Sequence, residues 1–228
     1  MNGRAAGLAL FAATLAAATV SAADLSVYRG LKLGMTLNAA AQVPGTRQTE
    51  MRLIHRQPAL IQEMDWQPLN SNFSTADRGH TDPVREAVLS FVNGELFRIV
   101  VMYDRYKVEG MTPADFVEAL SATYGPAVKT TARIAFHTHY AEATAVLARW
   151  EDADYSYNLV NGEDRSTFAL ILLSKRLDAQ AQTAIAQAVR LEVQNAPQVE
   201  LDKKKQRDED ARTLLEKART ANKLNFRP

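Results

Sequence analysis

Gly34-Met35-Thr36 recurs as Gly110-Met111-Thr112, a separation of 76 residues (34 to 110), and each copy opens a helical pattern. A motif that returns at a fixed interval with the same local role marks a structural unit used twice. In the second copy Thr112 is placed to cap a helix, Pro113 suits its first position and Asp115 falls in its positive first turn. Phe116, Val117, Leu120 and Tyr124 then line one face, and Gly125-Pro126 stops the helix. In the first copy Thr36 caps a shorter, alanine-rich helix through Leu37, Ala40 and Ala41 that ends at Val43-Pro44-Gly45. Both copies therefore begin and end alike.

Strands follow each helix. Val84–Val92 and Glu95–Tyr103 are β-rich runs joined by Asn93-Gly94, a pair that tolerates the positive φ of a type I′ hairpin turn. Alternation on the second run puts Phe97, Ile99, Val101 and Tyr103 on one face and Leu96, Arg98, Val100 and Met102 on the other. The second unit repeats the pattern with strands at 145–150, 155–160 and 167–173, turning at Asp152-Ala153-Asp154 and at Asn161-Gly162. Residues 49–66 and 130–140 supply one further strand each, and the polar stretch 70–82 is a loop.

At Leu177 the pattern changes. Leu177, Ala181, Ala184, Ile185, Ala188 and Leu191 recur at steps of three and four, a narrow apolar stripe that should dock a helix capped by Asp178 on the sheets. Pro197 is expected to break or kink it, and residues 202–210 contain no apolar residue, which defeats a sustained coiled-coil heptad and leaves an exposed helix.

The N-terminus has the form of a signal peptide. Arg4 is the only charge before Asp24, residues 8–20 are a short alanine-rich apolar run, and Val20-Ser21-Ala22 offers small residues for cleavage after Ala22 or Ala23. The run is shorter than the roughly 20 residues that span a bilayer, although a helix over 5–23 could serve as an uncleaved anchor in a thin membrane. No later segment has that character, so the expectation is a periplasmic or secreted protein without an integral membrane segment.

Composition removes several chemistries. The chain has no cysteine, so it has no disulfide, thiolate metal site or cysteine nucleophile, and its core must rely on packing. With 27 Lys+Arg against 26 Asp+Glu it lacks the basic excess of a nucleic-acid binder, and the acidic neighbours of Lys203-Lys204-Lys205 largely cancel that run's field. His137 and His139 would share a strand face at a chelating spacing, but Glu142, His55 and His80 are the only obvious further ligands, so no metal is expected. Glu151, Asp152 and Asp154, with Glu163 and Asp164, surround turns without the spacing of a calcium-binding EF-hand loop. There is neither a Gly-x-Ser-x-Gly elbow nor a glycine loop to cradle phosphates, and no cofactor is expected. His80 lies between Asp77 and Asp82 without a matching nucleophile.

The aromatic residues are more suggestive. Tyr103, Tyr106, Tyr155 and Tyr157 sit at strand ends beside Asp104, Arg105 and Arg149, the composition of a protein interface. Tyr103 and Tyr155 also suit half-polar core positions, whereas Tyr106 and Tyr157 are the better surface candidates. Trp150 follows Val146 and Ala148 at period two and should pack inside.

The Gly-Met-Thr helix, the Gly-Pro or Pro-Gly stop and the antiparallel strands that follow, used twice over about residues 30–175, resemble the folds of the SmpA/OmlA outer-membrane assembly lipoproteins and of the β-lactamase inhibitor proteins. The resemblance implies a protein-binding module of the envelope or exterior, not an enzyme. The cysteines of the lipid anchor in the first group and of the disulfides in the second are missing here. The expected architecture is α+β: a signal peptide (1–22), two helix-plus-antiparallel-sheet units in tandem (23–109 and 110–176), and a helical extension (177–228). The expected partner is another envelope protein, with self-association through the C-terminal helices as the alternative and a hydrolase using scattered carboxylates or histidines behind both.

Overall fold

The computed structural model describes residues 23–69, 82–136, 143–162, 167–225 and 227. The signal-peptide segment, most of the 70–82 loop, His80, His137, His139, Glu142, Glu163 and Asp164 lie outside them.

The class is α+β. A small N-terminal hairpin, β1 (Val27–Tyr28) and β2 (Leu31–Lys32), precedes α1 (Leu37–Ala40) and a four-strand meander: β3 (Thr46–His55), β4 (Ile61–Trp66), β5 (Val84–Val92) and β6 (Glu95–Tyr103). Then α2 (Pro113–Tyr124) leads into β7 (Arg133–Ala135), β8 (Ala143–Glu151), β9 (Tyr155–Asn161) and β10 (Phe168–Ser174), and α3 (Lys175–Asn225) closes the chain. All eight long-sheet strands pair antiparallel in the order β3-β4-β5-β6-β10-β9-β8-β7. The two meanders therefore share one sheet, joined at its centre through β6 and β10.

The helix signals act as read. Thr112 Oγ1 accepts from the Asp115 N–H while the Asp115 carboxylate accepts from the Thr112 N–H, a reciprocal capping box. The Thr112 backbone N–H above all, and then the Thr112 hydroxyl, donate to the Asp115 carboxylate and hold that carboxyl below its ordinary range. Thr36 caps α1 through the Ala39 N–H. Ahead of each cap, Gly34 and Gly110 adopt φ of 88° and 80°, values that a β-carbon disfavours. Each half also clamps the loop that ends its helix with a tryptophan: Trp66 Nε1 donates to the Pro44 carbonyl at 2.8 Å, and Trp150 Nε1 to the Gly125 carbonyl at 2.9 Å. Trp150 is buried, as its spacing predicted.

One sheet face packs under α1, α2 and the N-terminal hairpin. Leu31, Leu89, Phe91, Ile99, Trp150, Leu159, Leu170 and Leu172 form the centre of its apolar layer. The opposite face carries the docked start of α3 over Ile61, Val92 and Phe97, and a separate cluster in which Ile134 and Phe136 meet Val146, Val160 and Ile171.

Four expectations need correction. On β6, Ser90 pairs with Arg98 but the next residue, Phe91, pairs with Leu96, so Phe97 is a bulge. Leu96 therefore joins Ile99, Val101 and Tyr103, while Phe97 turns to the α3 side with Arg98. Residues 49–66 hold two strands, not one, and the β3–β4 ladder shifts register twice. Helix α3 begins at Lys175, so Asp178 lies in the first turn and its side chain accepts from Arg98. The same helix runs unbroken through Pro197. In an exposed helix, water can satisfy the carbonyl that proline leaves without a donor.

Candidate functional site

An apolar concavity opens above the first sheet face, between the N-terminal hairpin, the β5–β6 hairpin and α2. Its walls come from β1 (Val27, Tyr28), the start of β5 (Val84), the end of β6 (Tyr103), the following loop (Val108, Met111) and the inner face of α2 (Phe116, Leu120, Tyr124). Its volume is about 380 Å³, within the range of pockets that take a small ligand or a large side chain. The sequence builds it directly, because the apolar face of α2 spans one side and the β5–β6 hairpin delivers Tyr103 to the other.

Aromatic rings fix the walls. Tyr103 and Phe116 meet edge to face at 5.2 Å, Phe116 stacks tilted on Phe168 at 4.3 Å, and Tyr124 lies edge to face against Tyr157 at 4.9 Å. Such pairs add stability beyond area burial and hold rings in defined orientations. Burial pushes the Tyr28, Tyr103, Tyr124 and Tyr157 phenols above their ordinary value, so all four are neutral hydrogen-bonding groups at physiological pH.

Among the described lining residues, charge is confined to Arg29 and Lys107. Arg29 makes a two-armed bond to Asp82, at 2.5 and 2.9 Å, which raises the guanidinium's pKa. The same cation lies over the Tyr28 ring at 5.6 Å and the Trp66 ring at 5.9 Å. It braces the wall. The described lining holds no carboxylate and no histidine.

The four tyrosines singled out in sequence separate. Tyr103 lines the cleft but is only 7% exposed, and Tyr157 is fully buried, its hydroxyl donating to the Val27 carbonyl at 3.1 Å. Tyr157 as a surface contact is thus corrected: Tyr155, Tyr157 and Leu159 alternate toward the main core, and β1 covers the ring. Tyr155 is half-buried against that core. Tyr106 is 79% exposed, in the loop that follows Tyr103, with the Arg105 guanidinium 5.9 Å from its ring. Tyr28 and Tyr124 were not anticipated. The two-residue β1 strand offers no period to read, and Tyr124 registered only as a helix-face residue.

The remaining candidates fall elsewhere. His55 on β3 is buried and pairs with Glu192 of α3, Nδ1 to Oε1 at 3.0 Å, tying the sheet edge to the helix. Among the described residues no three His, Cys, Asp or Glu side chains gather as a metal site would require. Glu151 pairs with Lys175, and Asp152 caps its own turn. Among the described residues no helix is long and apolar enough to cross a membrane.

From Val189 to Asn225 every residue of α3 is exposed. Beyond Glu192 the side-chain hydrogen bonds run within the helix, as Gln198 to Asp202 and Gln206 to Asp210 do. At 1.5 Å per residue, residues 193–225 extend about 50 Å. Comparison with protein families, curated proteins and solved structures gives no match.

Proposed function

We propose that this chain is an exported, non-catalytic protein-binding module of the cell envelope, and that the tyrosine-walled cleft receives an apolar anchor side chain of its partner. One observation carries the reading: a pre-formed concavity of about 380 Å³ whose described walls are apolar and aromatic, with Arg29 and Lys107 as the only charges among the described lining residues. A buried aromatic or aliphatic anchor filling such a pocket, ringed by polar contacts, is how a few residues come to dominate protein association. Tyr106 and Arg105, exposed beside the cleft, supply rim contacts. The signal-like segment at 1–22 supports export, and the matched caps, stops and tryptophan clamps of the two halves support a duplicated unit.

A photo-cross-linking residue at Ala119, on the cleft lining, tests the reading in intact cells. The expected result is one discrete adduct with an envelope protein, absent when Leu120→Trp fills the space. A chain that stays in the cytoplasm, or an unchanged adduct in the filled variant, overturns it.

The exposed length of α3 favours a second reading, self-association through the C-terminal helix. Its mark would be a concentration-dependent mass in solution that falls to the monomer value on removal of residues 196–228.

A further inference from the structure

On the opposite face, at the corner where β7, β8 and β9 meet the start of α3, lies a second concavity of about 460 Å³ that the protein-binding reading leaves unused. Its walls hold Arg133, Arg149, Glu151, Asn158, Lys175 and Asp178. We propose that it binds a phosphate-type dianion, with Arg149 as the principal ligand and Arg133 as the second.

Charge balance is the first argument. Asp178 is taken by Arg98, a fully buried guanidinium whose Nη2 lies 2.6 Å from the carboxylate. Glu151 is taken by Lys175 at 2.9 Å, and this ammonium also donates to the Asp152 carbonyl at 2.6 Å. Asp152, in the adjoining turn, spends its carboxylate on the N–H groups of Asp154 and Tyr155. Among the described charges of the lining, Arg133 and Arg149 remain. Arg133 donates to the Ala143 carbonyl, and Arg149 approaches Glu151 only at 4.0 Å. Two excess positive charges face one concavity.

Pre-organisation is the second. Asn158 is fully buried and sits directly across the ladder from Arg149. Its amide nitrogen donates to Ser156 Oγ at 2.9 Å and to the Ile171 carbonyl at 3.2 Å, which leaves Oδ1 to accept from Arg149 Nε at 2.7 Å. That bond fixes the guanidinium plane while using only one of its five N–H donors. The Nη edge, a planar fork matched to two oxygens of a phosphate, stays available. A buried polar residue that orients a half-buried cation is the arrangement a binding site needs, since the ordering cost is met before the ligand arrives.

Titration calorimetry of the full chain with inorganic phosphate, at constant ionic strength, tests the assignment. The expected result is saturable binding at one site, weakened about tenfold or more by Arg149→Gln, as the loss of a charge-assisted pair would give, and weakened less by Arg133→Gln. Arg149→Lys should recover only part of the loss. If Arg149→Gln does not fold, Arg133→Gln alone is decisive, because among the described residues its side chain reaches only an exposed backbone carbonyl. Absence of saturable binding, an equal loss in Arg85→Gln on a distant strand, or tighter binding of malonate than of phosphate each overturns the proposal.

Discussion

The two faces of the eight-stranded sheet are built on different principles. Under α1, α2 and the N-terminal hairpin the buried layer is almost wholly apolar, and its few polar atoms, such as the indole nitrogens of Trp66 and Trp150, are satisfied by loop carbonyls. Toward α3 the buried set includes Arg98, Asn158, Ser156, Ser90, Glu63 and His55. The apolar face is held by area removed from water, a non-directional force that tolerates repacking. The polar face is held by directional pairs, each of which is costly to leave half-made. The first can be breached gradually, the second only bond by bond.

The sharpest break of this contrast is Asp178→Ala. It strands Arg98, which is 1% exposed and retains only the Ala135 carbonyl at 2.9 Å. Losing one partner of a buried pair costs about 3–5 kcal/mol, whereas replacing both partners by apolar groups is often near neutral. Urea denaturation should therefore place Asp178→Ala far below the parent, and Arg98→Met with Asp178→Ala close to it. A double variant as unstable as the single one would show that the pair holds the register of α3, not just its own charges.

A truncation on the apolar face has no such rescue. Leu89→Ala, at a fully buried position on β5, should cost about 2–5 kcal/mol, and no single partner change should restore it. The same denaturation series measures it.

Much of this difference was readable in advance, and the unreadable part has a physical cause. The Asn93-Gly94 turn, with φ of 50° and 83°, falls where its residue types require, and the Thr112 cap and Gly125 stop bound α2 as expected. Apolar periodicity is a local signal, so elements that obey it can be read locally. The bulge at Phe97 is not local: it is set by how β6 pairs with β5, and it reverses which of Leu96 and Phe97 enters the main core. The polar face was opaque for a related reason. Asp178 read as a cap because capping is a nearest-neighbour property, while its real partner lies 80 residues away. Tyr157 read as a surface residue because the β1 hairpin that covers it, 130 residues upstream, has no pattern of its own. The cleft was half legible, since the face of α2 and Tyr103 were visible and their meeting with Tyr28 was not.

Alkaline pH should loosen the apolar face first. Tyr28 and Tyr103 have folded-state values raised above the ordinary phenol value of 10.0, by burial above all. A raised folded value means that the native state keeps its protons where the unfolded chain releases them, so the stability is whole below about pH 10 and declines as pH rises beyond it. Tyrosinate absorbance from these buried rings should consequently appear only together with unfolding. Their ionisation before any loss of structure would show the cleft to be wetter than its packing implies.

The capping box isolates a smaller term. Thr112→Ala removes the hydroxyl that receives the Asp115 N–H and donates to the Asp115 carboxylate, at a cost of about 1 kcal/mol. Because α2 forms one wall of the cleft, this variant should also weaken capture of the cross-linked partner while leaving phosphate binding on the far face unchanged. Equal effects on both would mean that the faces are coupled through the sheet.

The smallest effect is expected where the chain is longest. The docked stripe of α3 ends at Ala188, and the last tie to the sheet is the His55–Glu192 bond. Removing residues 196–228 deletes a segment in which every described residue is exposed and whose side chains bond only along their own helix. A helix with no tertiary face draws its stability from propensity and from i,i+4 pairs worth tenths of a kcal/mol each, and none of that is shared with the body. The truncated chain should therefore unfold within about 0.5 kcal/mol of the parent. A larger loss would place the distal helix against the body in solution and make α3 part of the polar face along its length. An unchanged body with an unchanged mass would remove the case for self-association and leave the arm free to reach a different protein.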